Sequence, residues 1–183
     1  GVLPMSGIID RYRRLCVDGR PPVTGIALVA DSWACTNPSV GRGISLGLKH
    51  AQRLRDVVRD HGRDPLAFAQ AWDGVTEAEL TPWYRDTVRE DRARVRVMQA
   101  SREGRPPEAP RTDDELLRAA MLAALPHDAD LFRAFMESRS SLATLDEVLA
   151  RPGLAERIHE VAAGRERTPP PGPDREQLLA LLA

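Results

Sequence analysis

An aspartate, a proline, two glycines and a helix start follow one another in this 183-residue chain, and their order is the part of the sequence best able to do chemistry. Ile26 to Ala30 is an apolar run with β-branched members, short enough for a fully buried strand, and Asp31 stands where such a strand ends. Pro38 stiffens the loop that follows. Gly41 and Gly43 take Cβ atoms out of the path of an approaching group, and a helix is expected to begin at Arg42 or Gly43. The first amides of such a helix, here from Gly43 and Ile44 onward, have no intrahelical acceptor. Together with the helix dipole they stabilise negative charge by roughly 0.3 to 1 kcal/mol, up to about 2 where partly buried. A carboxylate and a set of amide donors at one mouth suit a phosphorylated or flavin-like cofactor.

The elements that must hold these groups are mainly helical. Downstream of the loop, Ile44, Leu48, Ala51, Leu54 or Arg55, and Val58 recur at three- and four-residue steps before Gly62, which predicts a long helix buried along that stripe. Upstream, Gly7 to Val17 reads as a short helix through Ile8, Ile9, Tyr12 and Leu15, ended by Asp18-Gly19 and followed by Pro21-Pro22. The strand at Ile26 to Ala30 therefore has only local helical neighbours, or a short partner near Val2-Leu3. Further along, Asp64 to Trp72 is a helix. A second runs from Thr76 to about Arg102, with a capping box of Thr76 and Glu79 and a break or restart at Pro82. Thr112 caps the next after the turn GRPPEAP. Asp130 to Glu137, a capping box of Thr144 and Glu147, and a start at Pro152 mark three more. TPPPGP, from Thr168 to Pro173, is an extended linker. It leads to a terminal helix, capped by Asp174, whose Leu178, Leu179, Leu181 and Leu182 would dock on the same subunit or on a second copy.

Ala30-Asp31-Ser32-Trp33-Ala34, followed by Asn37-Pro38-Ser39-Val40-Gly41-Arg42-Gly43-Ile44, resembles the carboxyl-terminal flavin motif of FAD-dependent oxidoreductases. The group in question includes aromatic-ring hydroxylases and geranylgeranyl-reductase-like or halogenase-like enzymes. Its pattern is Gly-Asp, small residues, Pro, then Gly-x-Gly at a helix start, and here Ala30 replaces the first glycine. The resemblance implies that Asp31 accepts hydrogen bonds from the ribityl chain of FAD. It also implies that the backbone from Gly41 through Arg42 and Gly43 to Ile44 faces the pyrimidine edge of the isoalloxazine, and that Pro38 lies beside the ring near the substrate. It covers roughly Pro21 to Asp60.

On this reading the chain is the carboxyl-terminal portion of a Rossmann-like α/β flavoprotein. Residues 1–62 form the end of the FAD-binding domain, 63–167 a helical domain and 168–183 a linker with a terminal helix. The expected activity is a monooxygenase or hydroxylase acting on a small organic molecule with NADH or NADPH as electron donor. An amino-terminal Rossmann half is the expected partner, because no G-x-G-x-x-G follows a strand in this sequence. No residue stands out as a catalytic base.

Other classes are weighed on the same residues. Gly43-Ile44-Ser45-Leu46-Gly47 is a literal G-x-S-x-G with Asp146 and His159 following in hydrolase order, but a nucleophile elbow needs its serine directly after a strand, and Ser45 falls inside the helix. A non-enzymatic helical interaction module, in which the glycine loop is only a turn, is the alternative from a different class. A formal net charge of −1 gives no whole-molecule attraction to nucleic acid, and arginine richness, with Lys49 the single lysine, follows coding composition. No apolar run is long enough to span a membrane. Cys16 and Cys35 make no disulfide framework and match no metal spacing with His50, His61, His127 and His159, which points to a reducing cytoplasm. His50 and His61 are expected in surface or capping roles, Cys35 as a small apolar filler, and Trp33 in packing.

Overall fold

The computed structural model describes residues 9–106, 108–165 and 172–182. It is mainly helical. The only sheet among the described residues is an antiparallel pair of two-residue strands, β1 (Arg11–Tyr12) and β2 (Ala34–Cys35), in the register Arg11 to Cys35 and Tyr12 to Ala34. Among the described residues eight α-helices follow: α1 (Gly43–His61), α2 (Pro65–Glu79), α3 (Thr81–Arg102), α4 (Asp113–Ala124), α5 (Ala129–Arg139), α6 (Leu145–Leu149), α7 (Leu154–Ala162) and α8 (Arg175–Leu182).

The chain divides into two compact units, Gly1–Ala109 with Met136–Val148, and Pro110–Phe135 with Leu149–Ala183. In the first, α1 packs on α2 and α2 on α3 around Trp33, Val57, Trp72, Leu80 and Trp83. In the second, α4 packs on α7 over Met121, Leu131 and Ile158, and Arg157 bridges Asp128 at 2.7 Å and Asp130 at 3.3 Å.

Helix starts follow their caps. Asp64 accepts from the amides of Leu66 and Ala67, both at 3.0 Å, and opens α2. Thr112 accepts from Glu115 N at 3.2 Å and opens α4. The reciprocal pair Thr144 and Glu147 opens α6, and a matching exchange between Asp174 and Gln177 opens α8.

Four expectations are corrected. Ile26 to Val29 is irregular backbone with Ile26 half exposed, and the chain enters a 3-10 turn at Ala30–Ser32 where a buried strand was expected to end. An apolar run becomes a strand only where another edge receives its hydrogen bonds, and no described segment does so. Within the helix expected over 7–17, Arg11 and Tyr12 instead form β1 and the remaining described residues are extended or turning, because Trp33 O accepts from Arg13 N at 2.9 Å and holds the segment open. Thr76 caps nothing: it lies inside α2, buried, and the break comes at Leu80, with Pro82 in the first turn of α3. The expected inner stripe of α1 faces outward, with Ile44 82 % and Leu48 63 % exposed and Val58 exposed too, while His50 and Val57 are the buried positions. Pairing of the expected strand with Val2-Leu3, the helix residues before 9 and most of the linker at 168–173 lie outside the described residues.

Candidate functional site

Asp31 sits at the centre of the Ala30–Ser32 turn. Ala30 adopts φ 52°, a left-handed conformation unusual for alanine, and the turn is tied from several sides. Ser32 Oγ donates to Val29 O at 2.6 Å and accepts from Val29 N at 2.8 Å, and Trp33 N donates to Ala30 O at 2.9 Å. From α1, the Nδ1 of His50 accepts from Ala30 N at 3.3 Å. Gly47 lets the helix approach: a Cβ there would lie 3.3 Å from the Ala30 Cβ. The turn is therefore braced by α1, while the carboxylate of Asp31 is exposed and makes no hydrogen bond or ion pair among the described residues.

The loop to α1 is fixed by carboxylates behind it. Asn37 N donates to Asp10 Oδ1 and Asn37 Nδ2 to Asp91 Oδ1, each at 3.2 Å. Pro38–Val40 forms a 3-10 turn closed by Gly41 N to Pro38 O at 3.0 Å, and Gly41 takes φ 73°, which explains a glycine there. α1 then begins without a side-chain cap. Space is open above Gly41 and Gly43, since a Cβ on either would meet nothing within 4 Å.

Arg42 points the other way. Its side chain is 4 % exposed, donates to Asp86 Oδ2 at 3.1 Å and to Ser138 O at 3.0 Å, and lies 5.3 Å over the Trp83 ring. Arg42 is buried as a whole residue, and its backbone joins the exposed Gly41 and Gly43. A small cavity of about 40 Å³ brings Asp31 and Gly43 together with Ala30, Gly47, Trp83 and Tyr84; Pro38, Gly41 and Ile44 are exposed outside its lining. That volume admits about one water molecule and falls far below the ~300 Å³ of a small-ligand pocket.

Three polar residues belong to this region although hydrophobic periodicity gave no sign of them. His50 is fully buried, contrary to the surface or capping role expected, and burial lowers its pKa to about 4. It is neutral, with Nδ1 accepting from Ala30 and Nε2 facing Thr76 Oγ1 at 3.1 Å. Asp86 is the buried counter-charge of Arg42. Asp91 is also buried, and loss of solvent raises its pKa against the pull of Arg94 at 3.6 Å. The only sequence signals were polar residues at core spacing on α1 and α3, which a search for apolar stripes passes over.

Ser45 lies exposed in the first turn of α1, and Asp146 is held by both terminal nitrogens of Arg89 at 2.8 and 2.9 Å, so the hydrolase arrangement gains no geometry. Gly47 of that motif is explained by its approach to Ala30. Cys35 lies half-buried in β2 and Trp33 is buried packing. No helix among the described residues is long and apolar enough to cross a membrane. Comparison with family models, with curated proteins and with solved structures gives no match.

Proposed function

We propose that this chain supplies the surface that faces the ribityl chain and pyrimidine edge of FAD in a flavin-dependent oxidoreductase of the monooxygenase or hydroxylase type. One observation carries the reading: an uncommitted carboxylate, Asp31, and an uncapped helix start at Gly43 line one cavity, beside glycines over which the space is open. The donor set fits the group. Asp31 would accept from ribityl hydroxyls, and the amides at the start of α1 would meet the polar edge of the ring. When bound, the flavin supplies the redox chemistry.

Because the cavity holds little more than water, the exposed residues outside its lining, Pro38 and Gly41, would help Gly43 hold the ring. Arg42 would position that backbone through Asp86 and Ser138 and would not touch the cofactor. The described residues contain no parallel sheet, so adenine and pyrophosphate recognition would come from a separate dinucleotide-binding unit, with NADH or NADPH as donor to the assembled enzyme.

A distinctive affinity pattern follows. Riboflavin, FMN and FAD should bind this chain with nearly equal and weak affinity, because the part of the ligand it grips is common to all three. Equilibrium dialysis against each of them tests this; FAD bound much more tightly than riboflavin would mean that the chain grips the adenine half and that the assignment is misplaced.

A helical interaction module is the second reading, favoured by the outward stripe of Ile44, Leu48 and Val58 on α1. It requires that none of the three flavins binds.

A further inference from the structure

Five aromatic rings touch in sequence through the first unit. Tyr84 stacks on Tyr12 with centroids 5.1 Å apart, and Tyr12 meets Trp33 edge-on at 5.9 Å. Trp33 meets His50 edge-on at 5.1 Å, and His50 stacks on Trp72 at 4.4 Å. Offset and edge-on pairs of this kind are ordinary core packing in geometry. Their surroundings are less ordinary. Trp33 and Tyr84 line the cavity of Asp31, and Trp33 and Trp72 line a second cavity of about 30 Å³.

Between Tyr84 and Trp33, the Tyr12 phenol donates to Oε1 of Glu77, which also accepts from Thr81 Oγ1 at 2.9 Å. Arg14 and Arg85 lie on the other carboxylate oxygen, at 3.9 and 3.6 Å. Burial and this hydrogen bond raise the Tyr12 pKa, so the phenol stays protonated and keeps a carboxylate as its proton acceptor.

We propose that the stack is a one-electron relay: an oxidant of the oxyl- or carbonate-radical class at the cavity takes an electron from Trp33, and the vacancy settles on Tyr12 as its phenolic proton passes to Glu77. The indole of Trp33 loses one electron and becomes a radical cation, and the oxidant is reduced by one electron. Tyr12 returns an electron to Trp33 while its O–H bond breaks and a new O–H bond forms at Oε1 of Glu77. The net products are the reduced oxidant, a neutral Tyr12 phenoxyl radical and a protonated Glu77, with Trp33 restored. Trp33 is the point of entry because it lines both cavities and touches both Tyr12 and His50. His50, neutral and without a proton acceptor of comparable basicity, does not hold the vacancy. The relay stands independently of the flavin reading, since any oxidant of this class that reaches the cavity would drive it.

The test is flash oxidation of the full chain by a photo-oxidised ruthenium polypyridine complex, with the radical identified by electron paramagnetic resonance. The chain has only two tyrosines, so the assignment needs only two variants. The parent should give a tyrosyl signal, Tyr12→Phe should lose it, and Tyr84→Phe should keep it. Glu77→Gln retains a hydrogen-bond acceptor but removes the proton acceptor, and should leave an indolyl radical in place of the tyrosyl one. Circular dichroism of each variant verifies the fold. A tyrosyl yield in Tyr12→Phe equal to the parent, its loss in Tyr84→Phe, an unchanged tyrosyl yield in Glu77→Gln, or an indolyl radical alone in the parent would each overturn the relay.

Discussion

The turn at Asp31 and the buried pair of Arg42 and Asp86 belong to the same short stretch of structure, yet their charges meet opposite surroundings. Asp31 is exposed and has no partner among the described residues, whereas Arg42 is enclosed by a carboxylate, a carbonyl and an indole. Charge that the fold has already neutralised holds backbone in place. Charge that the fold leaves open on a braced turn is available to a ligand. Substitutions in the two regions should therefore separate stability from binding.

The largest effect on stability is expected at the pair. Asp86→Ala strands a buried guanidinium and should cost about 3 to 5 kcal/mol, read by urea unfolding. The double variant Arg42→Met with Asp86→Leu should recover most of that loss, because it removes both desolvated charges. A loss in the double variant as large as in the single one would show that the pair is not the source.

His50 comes next. Its pKa is about 4 in the folded chain, against the ordinary imidazole value of 6.5. Between these values the unfolded chain binds more protons than the folded one, so stability rises with pH and is lost as pH falls from about 6.5 to about 4. The loss from this group amounts to roughly 3 kcal/mol at most. Unfolding free energy measured against pH should show that slope in the parent and a flatter one in His50→Phe, which keeps a ring between Trp33 and Trp72.

What could be read from sequence divides along the same line. The starts of α2, α4, α6 and α8 were legible because Asp64, Thr112, Thr144 and Asp174 bond to amides within a few residues, which is local chemistry. The order of acid, proline and glycines was legible too, as was a helix beginning at Gly43. The interior behind them was not. The buried face of α1 carries His50 beside Gly47, and that of α3 carries Asp86, Thr87 and Asp91, so an apolar stripe points to the wrong side. Ile26 to Val29 has strand composition, but a strand is decided by its partner edge, which composition does not contain. Thr76 and Glu79 have the spacing of a capping box, but Thr76 is instead buried against His50.

Smaller effects are expected in the loop. Gly41 has φ 73°, so Gly41→Ala should cost about 1 to 2 kcal/mol through backbone strain alone, no neighbour being close enough to clash. Gly43 has no such φ and opens α1, and Gly43→Ala should change stability by no more than about 1 kcal/mol, in the stabilising direction. On the flavin reading the same methyl would stand in the path of the ring and weaken binding. Thermal melts beside flavin titrations of both variants separate strain from obstruction.

Asp31→Ala gives the smallest expected change in stability and the most direct test of the account. Unfolding by urea should match the parent within about 0.5 kcal/mol, because the carboxylate holds nothing in the fold. Riboflavin affinity followed by flavin fluorescence should fall at least roughly tenfold, the equivalent of one charge-assisted hydrogen bond of about 1.5 to 3 kcal/mol. Unchanged stability with weakened flavin binding is the result expected for an open charge on a braced turn; flavin binding equal to the parent, or no flavin binding by either protein, would contradict it.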